Sequence, residues 1–451
     1  MENINGFDFF RLHFDADGNL MQQQELDDFK QRAAQATDAI FIAHGFRNDE
    51  NDAMDLFSGF LTTFRQHVDG PFKASLGSRR FVVAGVFWPS KKFPEDVKFD
   101  GSAAGVEDEA VQEVVQKEQA RAMLLEMRDT EASAEQKPRI DQAIALLDQV
   151  KQNPAAQNEL VQHVLSLLEN SEPDPTEGVE NVRAKSGSEL LELLGTPIRN
   201  PVTPSSDSEG GATGLDDVFI PGEDGGTQSI GSFFGSIFGR IGMFLNLTTW
   251  YVMKNRSGVV GANGVAKAVR ELRASAPEIK IHLAGHSLGG RLMAGCSKSL
   301  AQDPPPQVRP DSLTLLEAAF SHFGFSANNG QGQVGFFRAV VDKQLVKGPF
   351  LATFSAQDSV VGIVYATASR LAGQNVEAIG DANDPFGGIG RNGAQKTAEA
   401  TTDKLHVAGT PYQFTAGKIL SLDGSGGLIK DHFDVKNANV TYAFASAVAA
   451  T

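Results

Sequence analysis

The stretch Ile279-Lys-Ile-His-Leu-Ala-Gly-His-Ser-Leu-Gly-Gly-Arg-Leu-Met-Ala-Gly295 decides how the remainder of the chain is read. Apolar residues alternate at Ile279, Ile281 and Leu283, which predicts a strand, and the spacing of Leu292, Met293 and Leu300 predicts a helix. Between them stands Gly285-His286-Ser287-Leu288-Gly289. A serine at such a junction occupies a turn so tight that only small residues fit two positions before and two after, and Gly285 and Gly289 meet that demand. The Ser287 hydroxyl would then project from the sheet edge. The helix start would offer the Leu288 N–H and a positive dipole end to a developing oxyanion. In a chain with 46 glycines the five-residue pattern is weak alone, and it gains weight from the strand before and the helix after.

This strand, GHSLGG and helix resemble the nucleophile elbow of the α/β-hydrolase superfamily, above all its lipases and esterases. The resemblance implies an α/β fold: a mostly parallel central sheet flanked by helices, with an oxyanion segment upstream and an acid and a histidine downstream. Upstream, Asp38-Ala-Ile-Phe-Ile-Ala-His44-Gly45-Phe46 reads as a buried parallel strand leaving the sheet at its C-terminal edge. Carried over from the superfamily, the residue after this His-Gly step supplies the second oxyanion N–H, which here is Phe46.

Serine at its own pKa is a poor nucleophile, so it needs an imidazole to take its proton and a carboxylate to hold that imidazole's tautomer. Downstream, Ser312–Ala318 and Pro349–Ser355 read as buried strands, and the second leads into Asp358. Asp358 is the expected acid, Glu317 at the previous strand end is the alternative, and Asp381 or Asp384 are weaker ones. Beyond Asp358 only His406 and His432 remain. His432, in a polar loop after the last expected strand, is the expected base; His406 stands in a short apolar stretch and is the alternative.

The rest of the chain bounds what surrounds this site. Residues 101–230 hold 9 Lys/Arg against 25 Asp/Glu, and the remainder holds 31 of each, so the net charge of −16 belongs to one segment. No basic stripe fits a phosphate backbone, which argues against nucleic acid as a partner. Helical spacing at Val111, Val114 and Val115, at Ile140, Ile144 and Leu147, and at Leu160, Val164 and Leu167 predicts a helical insertion, followed by a proline-rich and Ser/Asp/Gly-rich stretch at 197–217. The expected division is a hydrolase core of residues 1–94 and 246–451 with an acidic insertion at 95–245, either a cap or a solvated side domain. From Ser229 to Met253 only Arg240 is charged, and Phe234, Ile237, Phe238, Ile241, Phe244 and Leu245 recur at helical spacing. That segment reads as core packing or as a greasy lid lining an acyl channel, and its polar interruptions argue against a membrane span.

Two patterns are set aside. Asp15-Ala-Asp17-Gly18 lacks the glycine and bidentate glutamate of a calcium loop and reads as a hairpin turn. Gly388-Ile-Gly390-Arg-Asn-Gly393 satisfies a dinucleotide fingerprint but follows Asp384-Pro385 rather than a strand, so it reads as a loop. The single Cys296 excludes an internal disulfide and reads as core packing; the N-terminus has no secretory pattern, so a cytoplasmic location is expected. No cofactor or metal motif competes. The expected function is cleavage of carboxylic esters or acyl lipids through an acyl-enzyme on Ser287, with transient contact at a lipid interface allowed. Thioesterase or polyester hydrolase activity, or a non-catalytic scaffold role for the acidic insertion, are the alternatives. The oligomeric state is left open.

Overall fold

The computed structural model describes residues 1–90, 109–195, 235–371 and 382–451. The expected linker at 197–217, the start of the apolar segment at 229–234 and Asp381 lie outside these residues.

Nine strands build one sheet: β1 (Glu2–Ile4), β2 (Phe7–His13), β3 (Asp38–Ala43), β4 (Phe81–Phe87), β5 (Lys280–His286), β6 (Ser312–Leu316), β7 (Phe350–Phe354), β8 (Ala400–Lys404) and β9 (Ile419–Asp423). Their order is β1-β2-β4-β3-β5-β6-β7-β9-β8, and every pairing except β1 with β2 is parallel. Strands β3, β4, β6 and β7 are buried at every residue, because helices cover both faces and continuous apolar runs are what such strands need. The edges show opposite chemistry. β8, Ala-Thr-Thr-Asp-Lys, is short and polar, which blunts an open edge. β1 folds back through Asn5-Gly6, both at positive φ (52° and 85°), the two-residue turn that Asn-Gly favours.

Register places the strand ends. Ala43 pairs with Gly285, His286 with Leu316, Leu316 with Thr353, and Phe354 with Asp423. The C-terminal ends of β3, β5, β6, β7 and β9 therefore finish level, and the loops leaving them meet along one edge.

Two apolar clusters lie on opposite sides of the sheet. On one side, helices Glu50–Asp69 and Ala438–Ala449 interlock through Phe60, Phe64 and Phe444, with ring centroids 5.1 Å apart in both pairs. The first of these helices starts at a capping box made by Asp49 and Asp52. On the other side, helices Gln23–Ala33, Ala266–Ser275 and Leu288–Gln302 pack on the sheet, and the insertion packs on them. Met123, Leu124 and Met127 of helix Glu109–Thr130, Ile140 of Lys137–Leu146 and Leu160 and Val164 of Pro154–Leu165 belong to the same cluster as Leu288 and Leu292. Val111 and Val114, expected on the packed face, are exposed.

Of the two readings of the apolar segment, core packing agrees with the burial of helix Ile237–Val259. Phe238, Ile241, Phe244, Leu245 and Trp250 are buried, and so are Gly239 and Gly242 between them. It runs between helix Glu109–Thr130 and helix Leu288–Gln302, and its apolar residues are buried on more than one side. It passes unbroken through the division expected at 245/246, so core and insertion share it. One π-helical turn, Val260–Val265, then leads into helix Ala266–Ser275. Gly261 in that turn lies so close to helix Leu288–Gln302 that a methyl group there would overlap the carbonyl oxygen of Leu292. Gly261→Ala should therefore destabilise the protein by about 1–3 kcal/mol, read as a lower urea midpoint with an unchanged slope; an unchanged midpoint would show that the two helices can separate freely.

Candidate active site

β5 ends at His286, and helix Leu288–Gln302 begins at Leu288, leaving Ser287 alone at the bend with φ 56° and ψ −125°. An L-residue is strained there and persists only if its surroundings hold it. They do: the Ser287 N–H donates to the Leu316 carbonyl at 3.0 Å, and the Ser287 carbonyl accepts from the Ala319 N–H at 3.0 Å. The expected need for small neighbours has a concrete cause. A side chain on Gly285 would overlap the Gly289 carbonyl, and one on Gly289 would come within 2.5 Å of the carbonyl oxygens of Ala43 and His44.

The end of β3 lies against this bend. A methyl on Gly45 would stand 2.8 Å from the Ser287 Cβ and 3.3 Å from its hydroxyl oxygen. The peptide between Gly45 and Phe46 is pinned from behind: His44 Nδ1 donates to the Gly45 carbonyl at 3.0 Å, while its Nε2 accepts from the Trp88 backbone N–H at 3.4 Å. The indole N–H of Trp88 donates to the His44 carbonyl at 3.0 Å, and the two rings stack with centroids 5.7 Å apart. With its carbonyl fixed toward His44, the trans peptide turns the Phe46 N–H the other way. Among the described residues, neither the Phe46 nor the Leu288 backbone N–H donates to any group. Two buried-edge donors without acceptors beside a strained serine form what an oxyanion needs.

Asp358 and His432 arrive from β7 and β9. The His432 Nδ1 and Asp358 Oδ2 are 2.8 Å apart, and both residues are buried. The other carboxylate oxygen accepts from the Val361 N–H at 2.9 Å. His286, next to the serine, donates from Nε2 to the His432 carbonyl at 2.8 Å, with the two ring centroids 4.8 Å apart. Burial, then the neighbouring His432, pushes the His286 imidazole well below its ordinary range, so it stays neutral. The loop carrying His432 is further held by Ser355, which donates to the Ile429 carbonyl at 3.1 Å, and by Asn437, which donates to the Leu428 carbonyl at 3.0 Å. Among the described residues the Ser287 hydroxyl makes no hydrogen bond, to His432 or elsewhere.

The alternatives separate on physical grounds. Glu317 follows β6 at φ 39° and is fully buried, and neither carboxyl oxygen has a hydrogen-bond partner among the described residues. Burial pushes its carboxyl well above the usual range, and a neutral acid cannot stabilise an imidazolium. His406 follows the edge strand β8, stacked on Tyr412 at 4.7 Å. β8 lies four strands from β5, about 19 Å of sheet at ordinary strand spacing. Asp384 sits in the loop before Gly388 and Asp381 is outside the described residues.

Another serine, histidine and aspartate stand in line at the opposite edge of the sheet. His282 Nδ1 lies 2.8 Å from the Ser312 hydroxyl, and its Nε2 lies 3.0 Å from Asp38. All three are fully buried. Burial alone would raise the Asp38 carboxyl, but hydrogen bonds from His282 and Arg79 hold it well below the usual range. Its serine lies at an ordinary position of β6, without the positive φ of Ser287, and the cluster links β3, β5 and β6.

Some contributors are not legible in the sequence. The Gly388–Gly393 stretch, expected as a loop, instead holds one helical turn, Ile389–Asn392; Arg391 within it donates to the Asp358 carbonyl at 3.0 Å, and Gly390 accepts from the Ser355 N–H at 3.0 Å while its own N–H donates to the Ala318 carbonyl at 3.0 Å. It spaces the ends of β6 and β7. Cys296 is buried with its thiol pushed up to about 12, consistent with packing alone. Among the described residues no group of His, Cys, Asp or Glu is arranged to hold a metal, and no helix is long and apolar enough to cross a membrane. No protein-family model, curated protein or solved structure matches the chain.

Burial holds the His44 imidazole down at about 4, against 6.5 when exposed, so between pH 6.5 and about 4 the unfolded chain binds a proton that the folded chain refuses. Acidification through that window should cost about 3 kcal/mol of stability from His44, with His286 adding in the same direction. Urea midpoints at pH 7 and pH 4.5 measure it, and His44→Asn should flatten the dependence; an equal slope in both proteins would refute the assignment.

Proposed function

We propose that this chain is a serine hydrolase with an α/β-hydrolase fold that cleaves carboxylic esters through an acyl-enzyme on Ser287. The observation that carries the reading is the meeting, at one sheet edge, of a strained strand-to-helix serine, two backbone N–H groups without acceptors, and a buried histidine–aspartate pair. The chain order of serine after β5, aspartate after β7 and histidine after β9, with the His-Gly step after β3, agrees with the order the elbow motif requires.

In this mechanism Ser287 attacks the ester carbonyl carbon while His432 Nε2 takes its proton. That transfer needs the hydroxyl and Nε2 within about 3 Å, a contact that forms as substrate fills the site. Asp358 holds the imidazole by Nδ1 and offsets the imidazolium charge. The tetrahedral oxyanion is received by the N–H groups of Phe46 and Leu288. His432 then protonates the departing alcohol, and water releases the acid by the same steps in reverse. The helix Ile237–Val259 lies in the core, so it gives no support to an acyl channel, and the proposed substrate class is the carboxylic ester without a chosen chain length.

A fluorophosphonate probe should label Ser287, and Ser287→Ala should abolish labelling and lower kcat on a short p-nitrophenyl ester by about 10⁴ to 10⁶. No labelling of the folded protein would overturn the enzymatic reading in favour of a scaffold. Asp358→Asn should lower kcat by about 10³ to 10⁴, whereas Glu317→Gln, which replaces a neutral acid with its isostere, should stay within about tenfold of the parent. The reverse ranking would move the acid to Glu317.

A further inference from the structure

Glu177 ends the short turn Pro175–Glu177 in the helical insertion, and it is 1% exposed. Its carboxylate reaches several elements at once. Oε1 accepts from the Ser321 backbone N–H at 2.7 Å and lies 4.0 Å from Arg291 Nη1. Oε2 accepts from the Tyr365 hydroxyl at 2.8 Å and pairs with the Lys254 ammonium, which donates to the same tyrosine oxygen at 2.7 Å. The Glu177 carbonyl accepts from the Tyr251 hydroxyl at 3.1 Å. Asp174, 3.4 Å from Arg291, balances the second cation. Every one of these groups is buried.

The elements they sit on are the ones that carry the proposed chemistry. Arg291 is in the first turn of the helix that Ser287 opens, and Tyr365 is on helix Ser359–Leu371, which starts directly after Asp358. Ser321 lies two residues beyond Ala319, whose N–H holds the Ser287 carbonyl at 3.0 Å. One carboxylate from the insertion is thus hydrogen-bonded to the acid's helix and to the loop that clamps the nucleophile's backbone, and it lies within ion-pair reach of Arg291 on the nucleophile's helix, which Asp174 of the same insertion also holds. As an anchor for the insertion alone the cluster is poorly suited, because buried ion pairs add little over apolar groups of the same shape. What directed bonds supply is fixed relative position, and misplacement remote from the reacting atoms can cost up to about a hundredfold in rate.

We infer that Glu177 is a positioning residue for the hydrolytic site: it sets the helix that follows Asp358 against the helix that follows Ser287, so the insertion takes part in turnover. This rests on the ester-hydrolase reading. Tyr365→Phe removes one hydroxyl, with its bonds to Glu177 and Lys254, and keeps the ring and the Glu177–Lys254 ion pair, so it should still fold cooperatively, with a modestly lower urea midpoint. Its kcat on p-nitrophenyl acetate should fall about tenfold with KM within about twofold, and fluorophosphonate labelling of Ser287 should slow in parallel. Glu177→Gln should lower kcat by about ten- to a hundredfold but leaves Lys254 without its carboxylate, so it is paired with Glu177→Gln/Lys254→Met, which restores charge balance. A positioning role keeps kcat low in the double variant even as its stability returns. Wild-type kcat and labelling rate in folded Tyr365→Phe and in the double variant would overturn the inference and leave Glu177 a mere anchor. A parent protein that neither labels nor hydrolyses would overturn the ester-hydrolase reading itself, and this inference with it.

Discussion

Ser287 is held in a backbone conformation that an isolated L-residue avoids, and much of the molecule serves to keep it there. The strain is offset by two hydrogen bonds to the segment leaving β6, and it is possible only because Gly285 and Gly289 let backbone approach backbone. The same closeness brings the end of β3 against the serine, so the elbow and the Gly45–Phe46 peptide are parts of one packed unit. A side chain on Gly289 would press on the carbonyls of Ala43 and His44 and force the elbow away from the end of β3, which ties the strained bend directly to the proposed oxyanion pocket.

The parallel sheet does the rest of the placement. Because β3, β5, β6, β7 and β9 end level, loops far apart in the chain meet without any one of them being long. Each loop is then held by hydrogen bonds to its neighbours: main-chain bonds tie the Gly390 turn to the ends of β6 and β7, and the side chains of Ser355 and His286 donate to carbonyls of the His432 loop. Backbone strain, not residue identity, distinguishes the serine at this edge from that of the Ser312, His282 and Asp38 cluster at the other.

The insertion is physically continuous with the sheet domain. Its helices bury their apolar faces in the cluster that also holds Leu288 and Leu292, and the helix Ile237–Val259 belongs to both. Its surface acidity and its buried carboxylates are different matters. Asp129, Asp148 and Glu169 lie on the surface in exposed ion pairs, whereas Asp174 and Glu177 sit against Arg291 and Lys254 in the interior.

Local chemistry was enough to read the elbow, the buried strands, the hairpin turn at Asp15, and the order in which Asp358 and His432 follow Ser287. Those features rest on short-range rules: apolar period, glycine where a turn is tight, and a small number of histidines downstream of the acid. The strand β8 escaped because an edge strand needs no apolar alternation, and β1 because three residues give no period, although its Asn-Gly turn was in plain view. Asp358 is the expected acid and Glu317 the alternative on sequence, but their different surroundings appear only in the fold. Both carboxylates follow buried strands, and only three-dimensional surroundings gave one a histidine and left the other neutral. The same holds for Ile237–Val259, apolar enough for a lid or a core, and for Glu177, one acid among many. Burial and partnership are properties of the packed chain, set by residues distant in sequence, and no local pattern encodes them.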